Sequence, residues 1–225
     1  MKRILMMAAL AAGFSICAGA QEAKSLDSYK SVRFYGIDFA PVQVVLAEET
    51  AGEFIEAFTG INELFLSEAD KYIDPLAARL KMKIDYVNID YALKSVETID
   101  ATELKTNKVP EPFTEEDLVY ELQDLDIEPA DGLGLFIAAG ELNKATDYGT
   151  FYYVFFDNKT MEVLDVWPLK GKSGGIGLRN YWARSFFRTI AEINPTKFYQ
   201  AKKKVKEGIT DGAQAVKEKF NGKSE

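Results

Sequence analysis

Apolar positions along the chain change their period several times, and each change predicts an element. Val32 to Phe39 is apolar on both faces apart from Arg33 and Asp38, as in a strand inside a sheet. Pro41 ends regular pairing there or puts the next residues at an edge. Thr50 and Glu53 form a T-x-x-E capping box, in which each side chain satisfies a backbone donor at a helix start. Phe54, Phe58, Ile61 and Phe65 then recur at helical spacing, with Ala57 and Leu64 beside them. Asp74-Pro75 is expected to break this run, with Pro75 opening a short second helix through Leu80. Between 81 and 109 the two periods mix. Ile84, Tyr86 and Val87 are followed by Ile89, Tyr91, Leu93 and Val96, and a strand with irregular flanks is the preferred reading. Pro110 and Pro112 mark a loop, after which Thr114 caps a helix carrying Leu118, Leu122 and Leu125.

The second half is rich in strands. Gly132 to Ala139 and Thr150 to Phe156 are each apolar on both faces, and Asp157-Asn158-Lys159 reads as a tight turn. Glu162 to Trp167 alternates less cleanly, as a strand nearer an edge does. A Gly-rich loop from Gly171 to Gly177 leads into a last helix, Leu178 to Ile193, stopped by Asn194-Pro195. The mixture predicts an α/β (α+β) fold. A single mixed sheet would carry an antiparallel C-terminal meander, with helices packed on it in a two- or three-layer sandwich.

Composition adds a location and a set of exclusions. Lys2 and Arg3, the apolar run Ile4 to Phe14, and Ala18-Gly19-Ala20 have the order of a secretory signal cleaved after Ala20. Ile16 before Cys17 disfavours a lipoprotein anchor. The expected division is a signal peptide at 1–20, a single α/β domain at 21–195 and a basic amphipathic tail at 196–225. There is no histidine, and the one cysteine, Cys17, would leave with the signal. A mature chain so formed lacks a disulfide, a thiol nucleophile and any His or Cys metal ligand. Ser-His-Asp and Cys-His catalysis are therefore excluded. Carboxylate chemistry, Ser–Lys chemistry and an oxygen-ligated ion stay open, and no cofactor is expected. Residues 21–195 hold 17 basic and 31 acidic side chains, a net of −14, whereas 196–225 has a net of +4. So acidic a body disfavours nucleic acid as a partner.

The candidate chemistry centres on Lys170-Gly-Lys-Ser-Gly-Gly-Ile-Gly177. Backbone N–H groups at a helix start attract anions, and Gly174, Gly175 and Gly177 would let a ligand approach. It is not a P-loop, because Val166 stands where the first glycine belongs. It is not a dinucleotide fingerprint, because Asn180 stands at the third. Arg179 projects into the apolar arc of the helix with Leu178, Trp182, Phe186, Thr189, Ile190 and Ile193. A cation in the first turn also opposes the macrodipole. Either a structural carboxylate such as Asp38 compensates it, or its stem lies buried, or a small anion binds with Lys170 and Lys172. Asp38 itself either faces solvent at a strand end or has a partner. Asp38 with Asp165 would be the pair for a carboxylate-based hydrolase, though no spacing brings them together.

Two further features are open to more than one reading. The aromatics Phe151, Tyr152, Tyr153, Phe155 and Phe156 read first as core, and as an interaction patch if one face is exposed. In the tail, Val205, Ile209, Ala213, Val216 and Phe220 make an apolar stripe among lysines, interrupted by Gly208 and Gly212. A loose solubilising tail, a docked helix, a partner-induced helix and a membrane-surface helix all fit.

The segments F-Y-G-I-D-F (Phe34–Phe39), A-F-T-G-I-N (Ala57–Asn62), F-Y-Y-V-F-F-D (Phe151–Asp157) and G-G-I-G-L-R-N-Y-W-A-R-S (Gly174–Ser185) resemble an exported protein family of Bacteroidetes bacteria. The element order is also similar to the amino-terminal α/β domain of TolB and related envelope proteins. That resemblance implies an envelope interaction role, not a reaction, and supplies no catalytic residues. The leading expectation is a non-enzymatic periplasmic or surface module that binds an envelope protein through a sheet edge, an aromatic face or the tail. The alternatives are a small-anion binder around Arg179 and the carboxylate-based hydrolase.

Overall fold

A computed structural model describes residues 26–196. The expected signal peptide and the tail from residue 197 onward lie outside the described residues. The elements are β1 (Ser31–Asp38), β2 (Gln43–Val45), α1 (Ala51–Ser67), α2 (Ala69–Leu80), β3 (Lys83–Val87) and α3 (Asp90–Glu97). They continue with β4 (Lys105–Thr106), α4 (Glu115–Asp124), β5 (Leu133–Asn143), β6 (Tyr148–Asp157), β7 (Glu162–Lys172) and α5 (Leu178–Glu192).

All seven strands join one mixed sheet built around β5. On one side of β5, β1 and β2 lie end to end and parallel to it, Val32 to Asp38 beside Leu133 to Ala138 and Gln43 to Val45 beside Glu141 to Asn143. The chain bends between them at 39–42, where Val42 N donates to the Phe39 carbonyl. β3 and β4 extend this parallel half outward, on β1 and β2 respectively. On the other side, β5, β6 and β7 form the expected antiparallel meander. β7 pairs only with β6 among the described strands, so the weaker alternation of its sequence does mark an edge.

Helices cover both faces. Phe34, Ile37, Phe151, Tyr153, Phe155 and Trp167 point to the face under α1, α2 and α5. Tyr35, Phe136, Tyr152, Val154 and Phe156 point to the face under α4, which supplies Leu118 and Leu122. The aromatic run of β6 is therefore core on both sides, because a central strand under helices leaves neither face to water. Stacking and edge contacts fill the interior, as between Phe39 and Phe58 at 4.2 Å and between Phe151 and Phe186 at 5.7 Å.

Two close approaches fix how helices meet the sheet. At Gly36 (φ 87°) β1 bulges and its register with β5 shifts. There the fully buried Asn62 of α1 accepts from Ile37 N at 2.8 Å and donates to Ile37 O at 2.9 Å. The side chain replaces the ladder bonds that the bulge removes. At the other end, Ser185 of α5 donates to Gly171 O at 2.6 Å and accepts from Gly149 N at 3.1 Å. The glycines at 149 and 171 let the helix descend onto β6 and β7.

Several sequence expectations need correction. The break expected at Asp74-Pro75 falls at Glu68, which closes α1 and opens α2, and Pro75 lies inside α2. The buried face of Tyr72, Ile73, Leu76 and Leu80 carries the helix through the proline. Its missing N–H frees only the carbonyl of exposed Lys71. Of the 81–109 segment, the first apolar group is β3 but the second is α3, a two-turn helix burying Ala92 and Val96. Strands β2 and β4, of three and two residues, carry too few positions to show a period. The Gly-rich loop is shorter than expected because β7 runs on through Gly171 to Lys172.

Candidate functional site

The parts of the expected anion site do not converge. Lys170 and Lys172 are exposed on β7. They alternate with Leu169 and Gly171, which face α5, so the two lysines turn to the opposite side of the sheet. Gly174, Gly175 and Gly177 have φ of 154°, 117° and 82° and form the turn before α5. Arg179 is exposed, not drawn into the apolar arc. Its stem lies against Gly60 of α1, and its guanidinium donates to Asn180 Oδ1 at 3.3 and 3.2 Å. The first turn of a helix over a glycine gives a long side chain a route along the surface to water.

The proposed partner of Arg179 is elsewhere. Asp38 ends β1 at 2% exposure, and its Oδ1 accepts from Ala40 N at 2.9 Å, within the bend that leads to β2. Burial pushes its carboxyl up to about 6, although the Ala40 N–H and the Ser95 hydroxyl oppose the rise. The charge of Asp124 at the end of α4 adds to it. Asp38 is thus held by the backbone of its own bend rather than by Arg179.

The carboxylate pair is not assembled either. Asp165 of β7 accepts from Trp167 Nε1 at 3.1 Å and from Val166 N at 3.1 Å. Strands β5 and β6 separate β1 from β7. Three strand spacings amount to about 14 Å, beyond the roughly 5–9.5 Å used by paired glycosidase carboxylates.

The sheet edge expected as a docking line is blunted. A register shift at Phe155/Phe156 bends β7, and Asp165 takes up the Val166 N–H. Pro168 has no N–H to offer, and Lys170 and Lys172 place charge along the strand. These are the features by which edge strands resist pairing.

A stretch with no motif of its own stands out instead. Residues 97–131 contain twelve acids and two lysines, Lys105 and Lys108. This stretch runs from α3 through α4 to β5, and it lines two recesses. The larger, about 290 Å³, is bounded by Asn88, Asp90, Tyr91, Lys94 and residues Asp126 to Pro129. Tyr91 OH accepts from Glu128 N at 3.3 Å across it. The smaller, about 70 Å³, lies between Pro41, the segment Pro110 to Phe113, Glu141, Tyr152 and Lys170. Its floor is made by Gly140, where a Cβ would come within 2.8 Å of the Tyr152 ring. Its wall is held by Tyr152 OH, which accepts from Phe113 N at 3.2 Å while the two rings pack at 5.1 Å.

Between the recesses runs α4, started by a full capping box. Thr114 Oγ1 accepts from Asp117 N, and the Asp117 carboxylate accepts from Thr114 N at 2.8 Å. The Thr114 hydroxyl, which donates to Asp117 Oδ2 at 2.7 Å, and after it the Thr114 N–H hold the Asp117 carboxyl below its ordinary range. With Glu115 and Glu116 beside it, the first turn of α4 carries three negative charges, which the helix dipole favours. Tyr120 and Val109 are exposed on the same stretch. The signal was present in the sequence as local charge, but a count over the whole body dilutes it.

Compared with known proteins, the chain matches no family model, no curated protein and no solved structure.

Proposed function

We propose that the chain is an exported, non-enzymatic module of the bacterial envelope that binds a cationic segment of a partner protein along the acidic 97–131 stretch. The single observation that supports this reading is that both recesses open along that one stretch. A lysine or arginine reaching into either recess would meet carboxylates and an aromatic ring together. In the larger these are Asp90, Asp126, Glu128 and Tyr91, with Lys94 already 5.9 Å from the Tyr91 ring centre and sharing that face. In the smaller they are Glu111, Glu141 and Tyr152, with Lys170 setting a limit on how deep a second cation can go. Carboxylate pairing and cation–π attraction act on the same group there. Complementary charge raises the rate of encounter and selects against acidic competitors. Export rests on the leader-like order of charge, apolar run and small residues at 1–20.

The reading is tested by photo-crosslinking in intact cells. A crosslinking residue at position 113 or 128 should give one discrete adduct band. The same residue at positions 63 and 70 on α1 and α2 should give none. Adducts spread evenly over all four positions, or absent from 113 and 128, would reject the acidic face as the docking surface.

A further inference from the structure

Charge in the described body is segregated in both directions. Residues 170–190 hold five cations and no acid, although the body as a whole is strongly negative. Lys170 belongs to the smaller acidic recess. Lys172, Arg179 and Arg184 are exposed around the turn 173–177, and among the described residues none of them has a carboxylate partner. The Arg179 guanidinium donates only to the neutral Asn180 side chain, and Arg184 lies along Gly174. In so acidic a protein, cations left without carboxylates form a surface that attracts anions from outside.

The apex of this turn is Ile176, which is 93% exposed. Glycines flank it on both sides, so no neighbouring side chain covers it. The turn is nevertheless pinned at its base. Ser173 donates from both N and Oγ to Asp147 O, at 2.8 and 2.9 Å. Gly174 N reaches Tyr181 O at 3.2 Å, and Asn180 Nδ2 reaches the Ile176 carbonyl at 3.1 Å. An aliphatic side chain is held out in water by a fixed backbone, and little ordering is left to be lost when it is buried. The strand register carries Val45 to Asn143, Asn143 to Tyr148 and Tyr148 to Lys172 across this end of the sheet. Half-exposed Leu46 and Tyr148 stand at the same end. Of the acids nearby, Asp147 is engaged by the Tyr181 hydroxyl and Glu49 pairs with Lys144 at 2.7 Å. Asp147 and Glu48 are both exposed.

We infer that the 173–177 turn is a contact for an anionic lipid surface. Ile176 enters the apolar margin of the bilayer and Tyr148 sits at headgroup level. Arg179 and Arg184 of α5 face the lipid phosphates, and Lys172 adds its charge from the other side of the sheet at the margin of the contact. The inference stands apart from the acidic-face reading, since it uses none of the same residues and requires no protein partner. One aliphatic residue with three cations gives a weak contact that salt reverses. It would hold the chain at a membrane in a defined orientation rather than anchor it permanently.

Co-sedimentation of the chain without its first twenty residues, tail included, tests this with vesicles of phosphatidylglycerol in phosphatidylcholine. At low salt the protein should pellet with these vesicles and remain soluble with pure phosphatidylcholine. Ile176→Asp should lower the partition at least about tenfold. Arg179→Gln and Arg184→Gln should each lower it about fivefold. All three positions are exposed, so circular dichroism should be unchanged. As a second readout, the emission of an Ile176→Trp variant should shift to the blue on anionic vesicles. Equal pelleting with neutral vesicles, no pelleting at all, or pelleting that Ile176→Asp leaves untouched would each overturn the inference. The last result would move the contact to the tail or elsewhere.

Discussion

The hydroxyl of Ser185 sits between two strands, donating to the Gly171 carbonyl at 2.6 Å and accepting from Gly149 N at 3.1 Å. A Cβ on Gly171 would overlap the Ser185 carbonyl oxygen, which is backbone and cannot swing aside. Gly171→Ala should therefore force α5 off the sheet at a cost of about 3 kcal/mol or more. Gly52 in α1 has nothing within 4 Å of its added Cβ. Gly52→Ala should be neutral or stabilising by about 0.5–1 kcal/mol. Urea unfolding of both variants reads the difference, and equal midpoints would mean that the helix is not seated on the strand through Gly171.

Asn62 serves the backbone of Ile37 in both directions. Asn62→Ala leaves a buried N–H and a buried C=O without partners, each at about 1–3 kcal/mol. The midpoint of urea unfolding should fall accordingly. Asn62→Asp keeps the acceptor but loses the donor and buries a charge, so its loss should be larger at pH 7 than at pH 4. A loss independent of pH would show that the site admits water.

Asp38 makes the stability of the protein depend on pH in a direction opposite to a salt-bridged acid. Its native carboxyl titrates near 6, above the 3.8 of an unburied aspartate. Between those values the native state binds more protons than the unfolded chain does. Stability on this account falls as pH rises from about 4 to about 6 and is flat above, by about 3 kcal/mol in all. Asp38→Asn keeps an acceptor for Ala40 N and removes the ionisation. Plotted as wild type minus variant, the unfolding free energy should decline across that window. A flat difference would mean that the carboxylate is solvated.

The caps of α1 and α4 provide a matched comparison. Both are complete capping boxes, and either Thr→Ala should cost about 1 kcal/mol globally. The local result should differ. α1 buries seven residues, whereas α4 buries Leu118 and Leu122. Thr114→Ala should raise hydrogen exchange throughout α4, and Thr50→Ala should affect only the first turn of α1. Exchange raised equally along both helices would contradict the difference in anchoring.

The four segments quoted for their family resemblance turn out to be neighbours. Gly36 meets Asn62, Gly60 meets Arg179, and Tyr35 packs on Phe156. Their glycines and polar residues make close packing, which a sequence reader meets first as motif and only afterwards as contact. Arg179, expected in the apolar arc, lies along the surface with its stem against Gly60, as one of the alternatives to an anion site had it. Projection on a helical wheel gives an azimuth, but the glycine at position 60 is what lets the side chain leave along the surface. Asp38 was legible as an anomaly in an apolar strand, whereas its partner, the N–H two residues on, depended on a bend that Pro41 only hinted at.

Local order alone settled β1, α1, α4 and α5, both threonine caps, the edge position of β7 and the antiparallel C-terminal meander. Those features arise from periods and hydrogen-bonding groups within a few residues of one another. Tertiary structure decided the passage of α2 through Pro75, the helix at 90–97, the dispersal of Lys170, Lys172 and Arg179, and the joining of two recesses along one acidic stretch. Each of these depends on which side chains from distant parts of the chain exclude water together, and a one-dimensional pattern does not encode that until the sheet has brought them face to face.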